Sequence, residues 1–214
     1  SEAKTHLTHV TDGYDFLGSW WLLGGVGYSL GIVVAEATRH PRSELRAASL
    51  QPRQLDQYLP RWLTWTPRVL IALVVAAAVF AGTGSAAVTL SDREILAVAL
   101  VALGLLAGAE VILRAVVGRR QPISEPDLVA ADDAMRTQSA HAVSGAVIIA
   151  AGSLWAILLF GYGDERMGTT PRQVFAALLP AVAWVIGISV QNLAWRVRRA
   201  RPAGGPAHST TTTT

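Results

Sequence analysis

Three sets of residues in this chain have the types and spacing that chemistry requires. Near the start, His6, His9, Asp12 and Asp15 recur every three positions. Imidazole and carboxylate groups repeated at that interval would converge on Zn²⁺ if the backbone formed a helical turn, although Thr8, Thr11 and Gly13 weaken a helix there. Glu110 lies inside a long apolar stretch, with Arg114 four positions on. Its carboxylate is read either as a proton acceptor or ligand counter-ion gated by that arginine, or as half of a pair that satisfies itself and fixes the helix rotation. The second reading is favoured, because no second deep acid or base is present to relay a proton. The third set is Asp133, Thr137, His141 and Ser144, whose intervals of four, four and three put them on one helical face. His141 with Asp133 does not complete a metal site, so this stripe reads first as a solvated helix face. Glu36, close to Arg39, reads as an interfacial salt-bridge residue.

The elements that would position these groups are five apolar stretches, at about residues 16–37, 69–90, 95–117, 140–161 and 174–195. Crossing roughly 30 Å of hydrocarbon takes about 20 residues at 1.5 Å each, and each stretch reaches that length. Fifty-one per cent of the 214 residues are hydrophobic, which is too apolar for a soluble domain of this size. Lipid obliges a spanning segment to satisfy its own backbone, and the alternation expected of a barrel is absent. The fold class is therefore all-α: a bundle of five transmembrane helices. Residues 1–15 form an extracytoplasmic segment, 16–200 the membrane domain, and 201–214 a threonine-ending tail with nothing apolar to bury.

Basic residues alternate between connectors. Every second connector is arginine-rich, and the two sets hold 14 and 4 of the 18 lysines and arginines. The positive-inside rule then sets the N-terminus outside and the C-terminus in the cytoplasm. An N-out start after so short a leader, with Ser1 as the first residue, implies a signal sequence or a further span ahead of it. The arginines crowd at helix ends without aromatic-interleaved motifs, so topology accounts for the basic charge and nucleic-acid binding is set aside.

Two connectors carry structure of their own. Apolar residues between Ser49 and Trp65 recur at helix-like intervals, with Pro52 and Pro60 limiting them to one or two short turns. Arg53, Arg61, Trp62 and Trp65 there would face anionic lipid and the headgroup layer, as would the indoles of Trp20, Trp21 and Trp195. Ser124 and Asp127 fit a capping box with Pro126 in the first turn, so the fourth span should begin about ten residues before the bilayer. Gly27, Gly31 and Ala35 in the first span, and Gly104 and Gly108 in the third, are small residues at four-residue spacing. They predict the closest helix packing between those two spans.

Several machines are excluded. With no cysteine, disulfides, iron–sulfur clusters and thiol catalysis cannot occur. A b-type haem needs two histidines at membrane depth, and ATP coupling needs a phosphate loop; neither is present. Intramembrane protease arrays and a detectable inverted repeat are missing too.

The runs Leu50-Gln-Pro-Arg-Gln-Leu55, Tyr58-Leu-Pro-Arg-Trp62, Leu128-Val-Ala-Ala-Asp-Asp-Ala-Met-Arg136 and Ala194-Trp-Arg-Val-Arg-Arg199 resemble small multi-span membrane proteins of high-GC actinobacteria. That resemblance implies a bacterial inner-membrane location and transfers no activity, cofactor or site residue. The functional expectation is a non-catalytic accessory or scaffold subunit that packs against other membrane subunits or its own copies. The alternatives are a small transporter or permease component using Glu110, Arg114 and the His141 face, and a metal-binding protein using the outer His/Asp cluster.

Overall fold

The computed structural model describes residues 22–38, 46–47, 54–83, 90–118, 121–122, 126–161 and 169–200. Among them are five long helices. A π-helical turn, Leu22–Val26, leads into α1, Gly27–Thr38. Then come α2, Arg61–Gly82; α3, Asp92–Gly118; α4, Pro126–Gly161; and α5, Thr169–Ala200. The only extended pairing among the described residues is a two-residue antiparallel bridge between β1, Arg46–Ala47, and β2, Gln121–Pro122. The chain is thus all-helical, and each predicted apolar stretch has a helix. By length and composition α2, α3 and residues Val129–Leu159 of α4 can each cross a membrane, while α5 has a shorter apolar section, Leu178–Leu193. Residues 1–15, with His6, His9, Asp12 and Asp15, lie outside the described residues, as do Arg39, Arg53 and the tail from 201 onward.

Local chemistry explains the boundaries. α2 starts eight residues before the expected position because Pro60, with ψ of 146°, ends the preceding chain in extended geometry and serves as the N-cap. The amphipathic stretch before it forms one 3₁₀ turn, Leu55–Gln57. Pro67 is the seventh residue of α2, past the first turn, so it leaves the Leu63 carbonyl without its i+4 donor inside the helix. α3 begins with a capping box: the Ser91 backbone N–H donates to Glu94 Oε2 at 2.7 Å, and the Glu94 N–H returns to Ser91 Oγ. α4 runs unbroken for 36 residues, so the helical extension predicted for the fourth span is present.

Cross-helix contacts show the helices alternating in direction. Glu36, Ser29 and Gly25 of α1 and its leading turn meet Ser139, Ala146 and Ser153 of α4 in reverse order. Arg68 of α2 reaches Glu110 of α3, and Gly82 lies near Ile95, which defines an antiparallel hairpin. α4 is the hub. It packs against all four other helices, and from Ser139 to Ala151 nearly every residue is buried. Its apolar and small residues run all round the helix, as burial on every side requires. α2 instead buries one stripe (Leu63, Pro67, Ile71, Val74, Ala78 and Ala81) and exposes Trp62, Trp65, Val69, Leu73 and Phe80.

The closest packing is not where the sequence placed it. A Cβ at Gly27, Gly31, Gly104 or Gly108 would meet nothing within 4 Å, so those glycines leave open surface. The tight seam joins α4 to α5. A Cβ at Gly145 would lie 2.5 Å from the Gly187 carbonyl oxygen, and one at Gly187 would lie 2.6 Å from that of Gly145. Gly152 faces Ala183 in the same seam, and Gly25 faces Ser153 on the α1 side. Periodic spacing identifies which glycines share a face but not which face is covered, and that is why the wrong pairs stood out.

Two glycine substitutions separate these environments. Gly145→Ala should lower stability by about 1–3 kcal/mol, because the opposing atom is backbone and the helices must move apart. Gly104→Ala should be neutral or stabilising by up to about 1 kcal/mol. Thermal unfolding in detergent measures both.

Candidate functional site

The polar side chains collect at the end of the bundle where α1 and α3 finish and α2 and α4 begin. Each is set there by a recognisable local device. On α4, Asp132 and Arg136 are one turn apart, and the guanidinium Nη2 lies 2.7 Å from Asp132 Oδ2 while Nε donates to the same oxygen at 2.8 Å. Arg136 is only 1% exposed. Its Nη1 donates to the carbonyl oxygens of Val117 at 2.9 Å and Val116 at 3.3 Å. Those carbonyls belong to the last turn of α3, where no intrahelical donor remains. One arginine thereby neutralises a carboxylate, satisfies a helix end and opposes the negative pole of its dipole. This is the most strongly held side chain at that end, and counting it as one more connector charge missed it. The Asp132–Arg136 spacing of four was the available signal.

Glu110 is paired, but not with Arg114. Arg68 of α2 donates through Nε at 2.7 Å, and its Nη2 lies 2.6 Å from the same Oε1. Both side chains remain partly exposed, and the guanidinium also sits 5.3 Å from the Trp65 ring centroid. Arg114, one turn past Glu110, is exposed and has no ion-pair partner among the described residues. The pairing expected within α3 is therefore replaced by one between helices. The reason is geometric: antiparallel packing brings Arg68 to the edge of α3 from which Glu110 projects.

Glu36 is buried instead of interfacial, at 4% exposure, and accepts a hydrogen bond from Ser139 Oγ at 2.6 Å. Asp133 accepts one from the Tyr58 hydroxyl at 3.2 Å, which ties the short turn before α2 onto α4. The Asp133–Thr137–His141–Ser144 face is packed inward and not solvated: His141 and Ser144 are buried, and Asp133 and Thr137 half-buried. The Thr137 hydroxyl donates to the Asp133 carbonyl, and His141 Nδ1 lies 2.8 Å from the Thr137 carbonyl. A carbonyl can only accept, so Nδ1 carries a proton, and in the neutral ring Nε2 is then the nitrogen with the lone pair. Among the described residues no three histidine, aspartate or glutamate side chains converge to hold a metal.

A second polar group lies deeper, between α1, α4 and α5. The Ser29 hydroxyl is 2.7 Å from both the Gly25 and the Ala146 carbonyls. Tyr28 stacks on Trp184 with ring centroids 5.2 Å apart and donates to Gln191 Oε1 at 3.0 Å. The indole Nε1 of Trp184 and the amide Nε2 of Gln191 are buried without a protein acceptor. None of these residues stood out in the sequence, because single polar residues in a span have no spacing to mark them.

Compared with family models, characterised proteins and solved structures, the chain matches none. The contacts at this end of the bundle are structural ones. They hold helices to one another: α2 to α3 through Arg68 and Glu110, α3 to α4 through Arg136, and α1 to α4 through Glu36 and Ser29.

Arg136→Ala should destabilise by about 3–5 kcal/mol, since it strands a carboxylate and a helix terminus. Arg114→Ala should stay within about 0.5 kcal/mol of the parent. Unfolding in detergent distinguishes the two, and equal effects would remove Arg136 from its structural role.

Proposed function

We propose that this chain is a non-catalytic accessory or scaffold subunit of a bacterial inner membrane, crossing it five times with the N-terminus outside and the C-terminus in the cytoplasm. The observation that carries this reading is the use of the ionisable groups. Glu110, Arg136 and Glu36 each bond across to another helix, and His141 is bonded to the backbone of its own. A carboxylate that must accept and release protons or substrate needs a partner it can exchange, and Glu110 is clamped by a two-nitrogen contact to Arg68. The transporter alternative would have to break that clamp in each cycle.

Exposed apolar stripes on α2, α3 and α5 support the membrane setting and leave ample surface for lipid or for other subunits. The β1–β2 bridge joins the first and second arginine-rich connectors at one end of the bundle, as two connectors on the same side of a bilayer would be, while the choice of side rests on the arginine count.

Purification in mild detergent should bring down a stoichiometric second membrane chain or a defined homo-oligomer, read by native mass and chain identification. A monomer free of other chains would count decisively against the accessory role. Orientation is tested separately, because the chain has no cysteine of its own. A membrane-impermeant maleimide added to intact cells should label Thr83→Cys and spare Gly118→Cys; the reverse pattern would invert the topology.

A further inference from the structure

The α2–α3 hairpin ends in arginines that the fold does not consume. Arg61 opens α2 and Arg114 lies in the last turns of α3; both are exposed, and neither has an ion-pair partner among the described residues. They share one end of the hairpin because the Arg68–Glu110 pair fixes an antiparallel register. Arg61 stands seven residues before Arg68, on the same side of α2 two turns nearer the end. Arg114 stands four residues after Glu110, one turn nearer that end on α3. Among the described residues of the hairpin, Arg68 has its charge compensated by Glu110, whereas Arg61 and Arg114 have no ion-pair partner. Beside them Trp62 and Trp65 are 53% and 61% exposed, in line with the apolar outer stripe of α2.

We infer that this end of the α2–α3 hairpin is a binding site for the phosphate of one acidic phospholipid. Arg61 and Arg114 supply charge and N–H donors to the phosphate oxygens, Trp62 and Trp65 flank the glycerol region, and an acyl chain runs along the Val69 and Leu73 face of α2. The occupant is argued from charge and depth. Two uncompensated guanidinium groups sit at the end of helices of bilayer-spanning length, beside indoles, where a membrane presents its phosphates. A solvated surface would offer the arginines water alone, whereas a phosphate offers bidentate acceptors at that level. Arg68 is not a phosphate ligand here. It is a positioning residue that locks the register bringing the two free arginines to one end. The site rests on membrane residence and not on the accessory role, so a missing protein partner and a missing lipid are separate results.

The test is native mass spectrometry of the detergent-purified full chain with added phosphatidylglycerol or phosphatidylcholine. The parent should retain phosphatidylglycerol preferentially. Arg61→Ala/Arg114→Ala should lose about thirtyfold in that retention, the scale of two lipid-facing charges, and Arg114→Gln alone should lose part of it. Arg93→Ala removes an equally exposed charge from the other end of α3 and should retain the lipid like the parent. Excess inorganic phosphate should leave the lipid in place. Equal retention of the two lipids by the parent, an equal loss in Arg93→Ala, unchanged retention in the double variant, or displacement by inorganic phosphate would each overturn the proposal.

Discussion

Helices that lack side chains where they cross can bring each carbonyl oxygen almost onto the other's α-carbon, and α4 and α5 do so at Gly145 and Gly187. In lipid this closeness matters more than in water. Hydrocarbon surrounds separated helices as comfortably as a protein core would, so association depends on dispersion contact and on polar groups finding partners. The seam supplies the first and extends through Gly152 against Ala183, with Gly25 against Ser153 bringing α1 onto the remaining side of α4. Once α4 is enclosed, the α2–α3 hairpin closes over what remains of its surface, burying Leu63, Ile71 and Val74 from one helix and Ala102, Leu105 and Ala109 from the other.

Polar contacts then fix what packing alone leaves free. Apolar surfaces slide past one another at little cost, whereas an arginine held by a carboxylate and two carbonyls tolerates almost no displacement. Arg136 sets the height of α3 against α4, Glu36 and Ser139 set that of α1, and Tyr58 on Asp133 pins the turn that feeds α2. The buried ionisable groups are therefore read as registers. The cost of burying them is offset where every oxygen and nitrogen has a partner, a condition Arg136 meets with four donor contacts to three residues.

Much of this architecture was legible in the residues. Apolar length announced the helices, Pro126 and the unbroken run behind it announced the projection of α4, and Pro52 with Pro60 announced the short turn before α2. What could not be read was anything decided by register between distant segments. Glu110 has an arginine four residues away and another 42 residues away, and it takes the distant one. Linear spacing favours Arg114, and only the hairpin favours Arg68. Glu36 likewise meets a serine 103 positions on. The glycines failed for a related reason: Gly145, which belongs to no regularly spaced pair, is the crossing point, while Gly104 and Gly108 leave open surface.

The length of α4 carries a mechanical consequence. At 1.5 Å per residue its 36 residues extend about 54 Å, well beyond a hydrocarbon layer of roughly 30 Å. Its middle is sheathed by protein, so changes in bilayer thickness do not press on α4 directly. They press on the exposed outer faces of α2, α3 and α5. A thinner or thicker membrane would tilt the α2–α3 hairpin against α4, and the strain would fall on its polar tethers, Arg136 at the end of α3 and Tyr58 before α2. The bundle is thus a central shaft with a flank joined to it by apolar packing and by two polar tethers at one end, Arg136 and Tyr58.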